Sequence, residues 1–503
     1  MTDTRTALRD LLAKHDDQFS VSDRKYLRRC FDSFQEPHAD PFAYFYILPK
    51  IHKTPWKTRP IVSVPGSLLH GLGRWVDKQL QKIAPFLPAF FKSSYDLKQE
   101  LLSLQFDWSR CSLFSADADS MYTNIDTAHA IPSISQFLLL DRYGRYIVQE
   151  TKVHVPLLID ALSLIMGNNH FRFDDTYWHQ ISGTAMGTPP ACMYATLYYA
   201  VHEISFLRTF RTSIPFYKRF IDDVVGIWFH DPDPIKDLDN WNAFQATLPY
   251  GSLTWNVTDR ARQLDFMDLT IHLPPPTASR IVPITTSLYE KPQNLYLYLP
   301  PHSAHPRGVF KGTVIGSILR IFRLSSTDAN RKSATLAFYR RLRARGYSSS
   351  TLKPIFRLAL HKALSPATTI EPRSDPSTTK YTNLHLTYHP QGPSRRQLQQ
   401  LFSDRLLHPE SASSSSTPPL WTLRNQNSCE IGYNALRIIY HRPRTLRNLL
   451  FPRRFKPINE QSRVSTYCPD PPDTDEHTVP TNIRRRIRHD FSRRARPSSE
   501  QYE

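Results

Sequence analysis

The apolar positions near the start of the chain, and again beyond residue 310, repeat at helical spacing. Residues 1–35 carry leucines at this spacing, which predicts one or two helices. The stretches 312–325 and 329–345 place Ile, Leu and Phe on one side and Arg on the other. Such basic amphipathic helices are usually solvated surface helices, although a basic face of this kind also suits contact with a nucleic-acid duplex. What lies between these regions therefore decides how the helices are interpreted.

Beyond residue 365 the apolar pattern weakens. Residues 365–378 are rich in Pro, Ser and Thr, which predicts a linker. A short strand is expected at 384–388 and a helix at 395–407. The Ser-rich stretch 411–419 is of low complexity, and we expect it to be disordered.

The central part contains two apolar runs that meet at a pair of aspartates. The runs lie within residues 217–228, and Asp222 and Asp223 stand at their junction. Runs rich in β-branched and aromatic residues predict strands, so this segment is expected to be a hairpin with carboxylates at its tip. Both carboxylates can approach one cation there, and Mg²⁺ is commonly held by carboxylates together with substrate phosphates. Asp-Asp is also common in ordinary turns, so the pair alone leaves a structural interpretation open.

Two upstream segments change that balance. An apolar strand beginning at Leu113 runs into Asp117, and the aromatic Tyr122 follows five residues later. A loop rich in Gly and Pro at 183–190 leads into an apolar stretch at 191–200, which predicts a buried helix. The order is a strand with a carboxylate, a glycine-rich loop with a helix, and a hairpin with carboxylates.

This order resembles motifs A, B and C of the reverse transcriptases, and the chain looks most like those of the Penelope-like retroelements. The resembling segments are individually weak but occur in the expected order across about residues 44–325. They are residues 48–53, 59–63, 120–125, 183–190, 219–223, 266–271 and 289–292. A weaker similarity at 440–450 resembles the segment that follows the polymerase core in that family. Phe220 departs from the tyrosine that is frequent before the aspartates, a change that should be tolerated.

The resemblance implies an α+β fold of the right-hand polymerase type, with fingers, palm and thumb. It implies an antiparallel palm sheet and a helical thumb, followed by a small C-terminal region and a disordered basic tail. The expected divisions are an N-terminal helical segment at 1–39, fingers and palm at 40–282, the thumb at 283–365, a linker at 366–380, an accessory region at 381–456 and the tail at 457–503.

The same resemblance implies nucleotidyl transfer with two Mg²⁺ ions, Mn²⁺ being the alternative. Asp117 and Asp222 would bridge both ions, and Asp223 would be an auxiliary ligand. Asp119 complicates the first motif, because two residues along a strand it would share a face with Asp117. The family places its aspartate five residues before the aromatic, which selects Asp117 and leaves Asp119 solvated or structural.

A set of nucleotide-binding residues is also implied. Basic side chains in the fingers would clamp the triphosphate, and glycines in the second motif would let the backbone approach template and nucleotide. Tyr122 would pack under the sugar and exclude a 2′-hydroxyl, its alternative being a core tyrosine in a strand. The set consists of Lys50, Lys53, Arg59, Tyr122, Gly183, Met186 and Gly187.

The charge balance favours a polyanionic partner, because 64 Lys and Arg stand against 45 Asp and Glu, a net charge of +19. Seven arginines between residues 484 and 496 are expected to serve as a nuclear import signal or a nucleic-acid tether. The candidate nucleic-acid contacts are Arg320, Arg323, Arg442, Arg444, Arg484, Arg485 and Arg486.

Cysteine usage and hydropathy indicate the compartment. The five cysteines are scattered and form no Cys-x-x-Cys pair, which argues against a zinc knuckle and favours a reducing compartment. We find neither an apolar signal core nor an apolar span long enough for a membrane, so an intracellular, nuclear protein without a membrane partner is expected.

The expected function is that of an RNA-directed DNA polymerase of a retroelement. Its partners would be an RNA template, a DNA primer, their RNA–DNA hybrid and dNTPs, while the oligomeric state stays open. Many relatives carry a GIY-YIG endonuclease, of which residues 430–433 are only a superficial echo, so either the lineage lacks it or the chain is truncated. A telomerase-like or other RNA-templated polymerase and a non-catalytic nucleic-acid-binding relic are the alternatives.

Overall fold

The computed structural model describes residues 2–34, 40–50, 55–278, 281–292, 294–305, 307–365, 381–387, 392–402 and 435–441. Contacts divide the chain into a unit at Met1–Pro443 and a second at Arg444–Glu503, which lies wholly outside the described residues. The expectations for the 366–380 linker and the 457–503 tail also lie outside them. The described part mixes helices and sheets, as the sequence predicts.

Two helices open the chain, α1 at Thr2–Lys14 and α2 at Val21–Asp32, which confirms the helical start. The Ser20 hydroxyl accepts a hydrogen bond from the Asp23 amide and caps α2. Leu8, Leu11 and Leu27 are buried in the main core.

A four-stranded sheet follows, with the order β2-β1-β4-β5. Its strands are β1 at Ala43–Lys50, β2 at Lys57–Ser63, β4 at His170–Phe173 and β5 at Thr176–His179. Strands β1 and β2 are antiparallel, with Leu48 opposite Arg59.

The central sheet has the order β6-β7-β3-β8 and is antiparallel throughout. Its strands are β3 at Cys111–Ala118, β6 at Phe216–Phe220, β7 at Asp223–Phe229 and β8 at Trp255–Val257. Alternate residues enter two different cores: Phe114 and Val224 lie in one, Leu113 and Val225 in the other. Burial of both faces explains why these strands read as continuous apolar runs.

Helices cover the face of this sheet that carries Phe114 and Val224, and they contribute most of the core on that side. They are α3 at His70–Ile83, α4 at Ser94–Leu102, α5 at Met121–Asn124, α6 at Thr127–Leu140, α7 at Arg142–Thr151, α8 at Val155–Gly167, α9 at Ala191–Thr209 and α10 at Pro234–Thr247, although α4 packs in the second core. Helix α9 confirms the buried helix predicted after the glycine-rich loop.

A three-stranded antiparallel sheet precedes the last helices, with β9 at Gln263–Phe266, β10 at Leu269–His272 and β11 at Thr285–Leu288. The helices are α11 at Arg307–Leu324, α12 at Asp328–Ala344 and α13 at Ser349–Leu364. They confirm the predicted basic amphipathic helices and enclose a core of their own around Ile318, Phe338 and Leu352.

The remaining described segments are strand β12 at Tyr381–Thr387, helix α14 at Arg395–Phe402 and strand β13 at Ala435–His441. The two strands pair in parallel. Strand β12 agrees with the strand predicted at 384–388, and helix α14 with the helix predicted to begin at residue 395. No helix among the described residues has the length and hydropathy needed to cross a membrane.

Candidate active site

The β6–β7 hairpin ends in a two-residue turn formed by Ile221 and Asp222. Phe220 pairs with Asp223 across the turn, and Ile221 has φ of +60°. A β-branched residue in this region is strained, and it persists only where surrounding contacts hold it. One such contact joins the turn to the neighbouring strand, because the Ala118 amide donates to the Asp222 carbonyl at 2.9 Å. The predicted hairpin with an aspartate in its turn is thus confirmed.

Asp117 lies directly opposite Asp223 in the β3–β7 register. Burial raises the pKa of Asp223 to about 6, and the charges of Asp222 and Asp117 and a hydrogen bond with Asp117 act in the same direction. Burial also raises the pKa of Asp222, against the opposing effects of a backbone hydrogen bond and of Arg59, Arg219 and Lys50. The three predicted carboxylates therefore meet at one end of the central sheet, where their charges repel one another.

This donor set fits a hard cation, because it offers only carboxylate oxygens and its like charges are relieved by positive charge. Among the described residues no three His, Cys, Asp or Glu side chains are arranged to hold a metal ion by themselves. Mg²⁺ usually takes one or two carboxylates and completes its shell with phosphates and water. Asp117, Asp222 and Asp223 could therefore supply only part of the ligand shell of such an ion.

Asp119 is outside the strand that carries Asp117, which corrects the expected shared face. Strand β3 ends at Ala118, and Ser120 adopts φ of +48°. The Asp119 amide donates to the Thr254 carbonyl, and its own carbonyl accepts from Asn124. The chain turns at this point, so Asp119 belongs to the entry of α5.

Arg219, which the sequence analysis did not select, holds the turn in place. Its side chain is only 2% exposed and pairs with Glu203 of α9 through two hydrogen bonds of 2.6 and 2.7 Å. It also donates to the carbonyls of Ile221 at 2.7 Å and Thr196 at 2.9 Å. An arginine three residues before the first aspartate and a lone glutamate in an apolar helix were the available signals.

Basic side chains of the β1–β2 hairpin lie close enough to the carboxylate site to lower the pKa of Asp222. Lys50 pairs with Lys57 and Leu48 with Arg59, so the three cations share one face of the hairpin. Both Arg59 and Lys50 lower the pKa of Asp222 against the effect of burial. Lys291, in the 289–292 segment but not among the selected residues, does the same for Asp223.

Tyr122 lies in the short helix α5 and not in a strand, and it packs against the main core, as the alternative of a core tyrosine expected. Its hydroxyl lies 3.1 Å from the Cys192 sulfur. Burial, Cys192 and the charge of Asp222 raise the Tyr122 pKa, while Arg59 lowers it. The Tyr122 ring thus lies near Asp222 and Arg59 of the carboxylate site.

The glycine-rich loop at 183–190 packs against both the β1–β2 hairpin and α5. A side chain at Gly183 (φ +72°) would collide with the carbonyls of α5, and one at Gly187 (φ +124°) with the Val62 carbonyl. The Met186 carbonyl accepts from the Val62 amide at 2.9 Å. Met186 also lines a cleft of about 280 Å³ between these elements. The glycines are therefore required for close packing of protein against protein, a reason the sequence did not supply.

The predicted nucleic-acid contacts are only partly described. Arg320 lies 2.7 Å from Asp268 in the β9–β10 turn, and Arg323 lines a separate cleft beside α4. The remaining predicted contacts, Arg442, Arg444, Arg484, Arg485 and Arg486, lie outside the described residues, as does Lys53 of the predicted nucleotide-binding set.

Residues 297–357 match the family model of the animal helix-turn-helix domain, which coincides with most of α11–α13. No curated protein matches the chain. Among solved structures, a telomerase from Candida albicans in complex with a fragment of telomeric RNA is similar at 10% identity and a TM-score of 0.41, over 66% of this chain and 61% of that one.

The apo telomerase from Candida tropicalis is similar at 10% identity and a TM-score of 0.38, over 65% of this chain and 62% of that one. The RNA-dependent RNA polymerase of BmCPV at its elongation state gives 11% identity and a TM-score of 0.35, over 64% and 28%. The chain thus spans about three fifths of the telomerases, and all three TM-scores mark a distant likeness.

Proposed function

We propose that the protein is a reverse transcriptase of a Penelope-like retroelement, which extends a DNA primer with dNTPs along an RNA template. The observation that carries this proposal is the meeting of Asp117, Asp222 and Asp223 at one end of an antiparallel sheet. Adjacent strands hold the carboxylates at a fixed spacing, as nucleotidyl transfer requires of its ligands.

Asp117, Asp222 and Asp223 would hold two Mg²⁺ ions, or Mn²⁺ in their place. When bound, such ions neutralise charge on the attacking and leaving oxygens of phosphoryl transfer. The pKa of Asp223, raised to about 6 by burial and its neighbours, leaves this carboxyl partly protonated in mildly acidic solution. Binding of an ion by Asp223 would therefore compete with protonation of this carboxyl.

Cations around the site suit the triphosphate of the incoming nucleotide. Arg59 and Lys50 lie on one face of the β1–β2 hairpin, and Lys291 acts on Asp223 from another segment. Arginine suits bidentate contact with phosphate, whereas lysine acts as a point charge. Tyr122 would pack against the sugar, where its ring leaves no room for a 2′-hydroxyl.

The helices α11–α13 would contact the template–primer duplex as the thumb. Helix α12 meets α13 through a short turn at Gly346, which has φ of +101°. This arrangement suits the matching helix-turn-helix model. Arg320 on α11 is the described candidate for a phosphate contact with the duplex. The arginines of the tail would add a tether and direct the protein to the nucleus.

Primer extension by the full chain tests the proposal. Reactions compare RNA with DNA templates, and dNTPs with rNTPs, in Mg²⁺ and in Mn²⁺. We expect dNTP incorporation on RNA and its loss in Asp117→Asn and Asp222→Asn, with template binding retained. Preference for rNTPs would indicate an RNA-templated RNA polymerase, extension confined to one short repeated template a telomerase-like enzyme, and no extension with intact binding a non-catalytic relic.

A further inference from the structure

A second site lies where α4 faces the helices α11–α13. It is a cleft of about 370 Å³ whose lining includes three cationic side chains, Lys98, Arg323 and Arg331, together with Tyr95 and Phe322. None of the three proposed metal ligands lines it. The cleft therefore differs from the carboxylate site in both charge and position.

Lys98 is held tightly in this cleft and is only 4% exposed. Its ammonium donates to the Arg323 carbonyl at 2.7 Å and to the Ser325 carbonyl at 3.1 Å. The Arg331 Nε donates to the same Ser325 oxygen at 3.3 Å, so two cations share one acceptor. Burial lowers the pKa of Lys98 to about 8, and the charge of Arg331 contributes.

Lys98 by itself has a structural explanation. Carbonyls at the end of a helix attract cations, and those of Arg323 and Ser325 belong to the end of α11. This explanation does not extend to the Arg323 guanidinium, which has no hydrogen bond or ion pair among the residues that the structure describes. Arg331 pairs at 2.8 Å with Asp328, whose side chain is 81% exposed. Three cations therefore share one solvated carboxylate, a balance that favours an added anion.

The geometry of this cleft points to a nucleic-acid ligand. Guanidinium groups favour phosphate oxygens. Tyr95 is 41% exposed at the same cleft and offers a face on which a base can stack. Sites for single-stranded nucleic acid typically combine cationic side chains, which contact the sugar–phosphate backbone, with an exposed aromatic ring on which a base stacks.

We propose that the cleft between α4 and α11–α13 binds a backbone phosphate of single-stranded nucleic acid through Lys98, Arg323 and Arg331, with Tyr95 stacking on an adjacent base. The proposal rests on the proposed function only in taking the strand to be unpaired template or primer. Binding itself requires no polymerization.

The test is fluorescence anisotropy of the full chain with labelled ten-nucleotide RNA and DNA strands, over a series of salt concentrations. The variant Arg323→Gln removes a guanidinium that forms no hydrogen bond or ion pair among the described residues, so the fold should persist. We expect affinity to fall about tenfold, since a hydrogen bond to a charged group is lost. The log–log salt slope should drop by about 0.7 for one single-strand phosphate.

Lys311→Gln is the matched control, because Lys311 is exposed on the same helix and does not line the cleft. We expect it to change affinity less than about twofold, as for ordinary surface charge. Tyr95→Leu should weaken binding about fivefold or more, with an unchanged salt slope. Equal effects of Arg323→Gln and Lys311→Gln on single-strand affinity would overturn the proposed site. A loss of affinity that appears only with a blunt-ended duplex would overturn it as well.

The two proposals fail separately. If the wild-type chain extends no primer while Arg323→Gln still loses single-strand affinity, the polymerase proposal fails and the cleft remains. If extension proceeds on RNA while Arg323→Gln and Tyr95→Leu bind like wild type, the cleft proposal fails alone. Thermal unfolding of each variant checks that the fold is intact.

Discussion

Two turns of this molecule have nearly the same local sequence and differ almost completely in what surrounds them. The β6–β7 turn reads Phe220-Ile221-Asp222-Asp223, and the β9–β10 turn reads Phe266-Met267-Asp268-Leu269. Each is a two-residue turn that places a large side chain at positive φ, +60° at Ile221 and +52° at Met267. Local sequence thus produces the same hairpin twice.

The difference arises from residues that are distant in the chain. Arg219 holds the first turn through buried hydrogen bonds to α9, and Asp117 faces Asp223 from the neighbouring strand. In the second turn Asp268 forms a largely solvated ion pair with Arg320, the two side chains being 47% and 53% exposed. An aspartate in a turn therefore becomes a candidate for chemistry only where other elements bury it and surround it with charge.

The largest effect is expected when the two turn aspartates are neutralised separately. Asp222→Asn should lower primer extension at least about a thousandfold, because it removes a carboxylate proposed to hold both ions. Asp268→Asn should leave extension within about threefold of wild type, as expected for an exposed pair. Single-turnover extension at saturating template measures both, and similar losses in the two variants would remove the distinction between the turns.

The next test removes the arginine that pairs near each turn, Arg219 beside the first turn and Arg320 beside the second. Arg219→Met should lower the free energy of unfolding by about 3–5 kcal/mol, because the Glu203 charge is left buried without a partner. Arg320→Met should cost at most about 1 kcal/mol, since its pair is exposed. Urea unfolding of each variant provides the values.

A double variant then separates stability from positioning. Arg219→Met with Glu203→Leu should recover much of the stability, because no unpaired charge remains. Extension should stay low if Arg219 positions the turn through the Ile221 carbonyl. Recovery of both properties together would show that Arg219 acts only on stability.

A smaller effect, on stability, is expected from Asp223. The equivalent position in the second turn is Leu269, which has no carboxyl. The pKa of Asp223 is raised to about 6, so the folded state holds its proton more tightly than the unfolded state. Its ionisation therefore destabilises the fold as the pH rises from about 4 through 6.

In the absence of divalent ions, Asp223→Asn should match wild type in melting temperature near pH 4. Near pH 7.5 it should be more stable by up to about 2 kcal/mol, a figure discounted for partial exposure. Melting curves at both pH values provide the measurement. A constant difference between the two proteins across this range would contradict the raised pKa.

The smallest effect concerns the surroundings of the first turn. Tyr122→Ala should lower the preference for dNTPs over rNTPs about tenfold, the size expected for one steric contact in a pocket. Tyr46→Ala is a suitable control, because that exposed aromatic lies on β1. Competition between the two nucleotide types during extension measures the ratio, and an unchanged ratio in an active Tyr122→Ala protein would make Tyr122 a packing residue.

Many elements of the fold were predictable because their periodicity is local. The helical start, the β6–β7 hairpin, helix α9 and the amphipathic helices α11 and α12 follow from spacing alone. The end of β3 did not follow, because Ser120 adopts a left-handed conformation that the residues around Asp119 do not indicate. The reason for Gly183 and Gly187 was also missed, since the backbone each one approaches lies far away in the chain.

The sequence by itself determined that the β6–β7 hairpin carries an aspartate in its turn, because apolar runs separated by a short polar junction specify strands and a tight connection. It also determined the candidate carboxylates Asp117, Asp222 and Asp223 through their order. Only the tertiary structure decided which turn is buried and surrounded by charged groups. Burial, the approach of Arg59 and Lys50, and the anchoring of Arg219 by Glu203 depend on packing between distant segments, and no local pattern encodes the electrostatic environment that such packing creates.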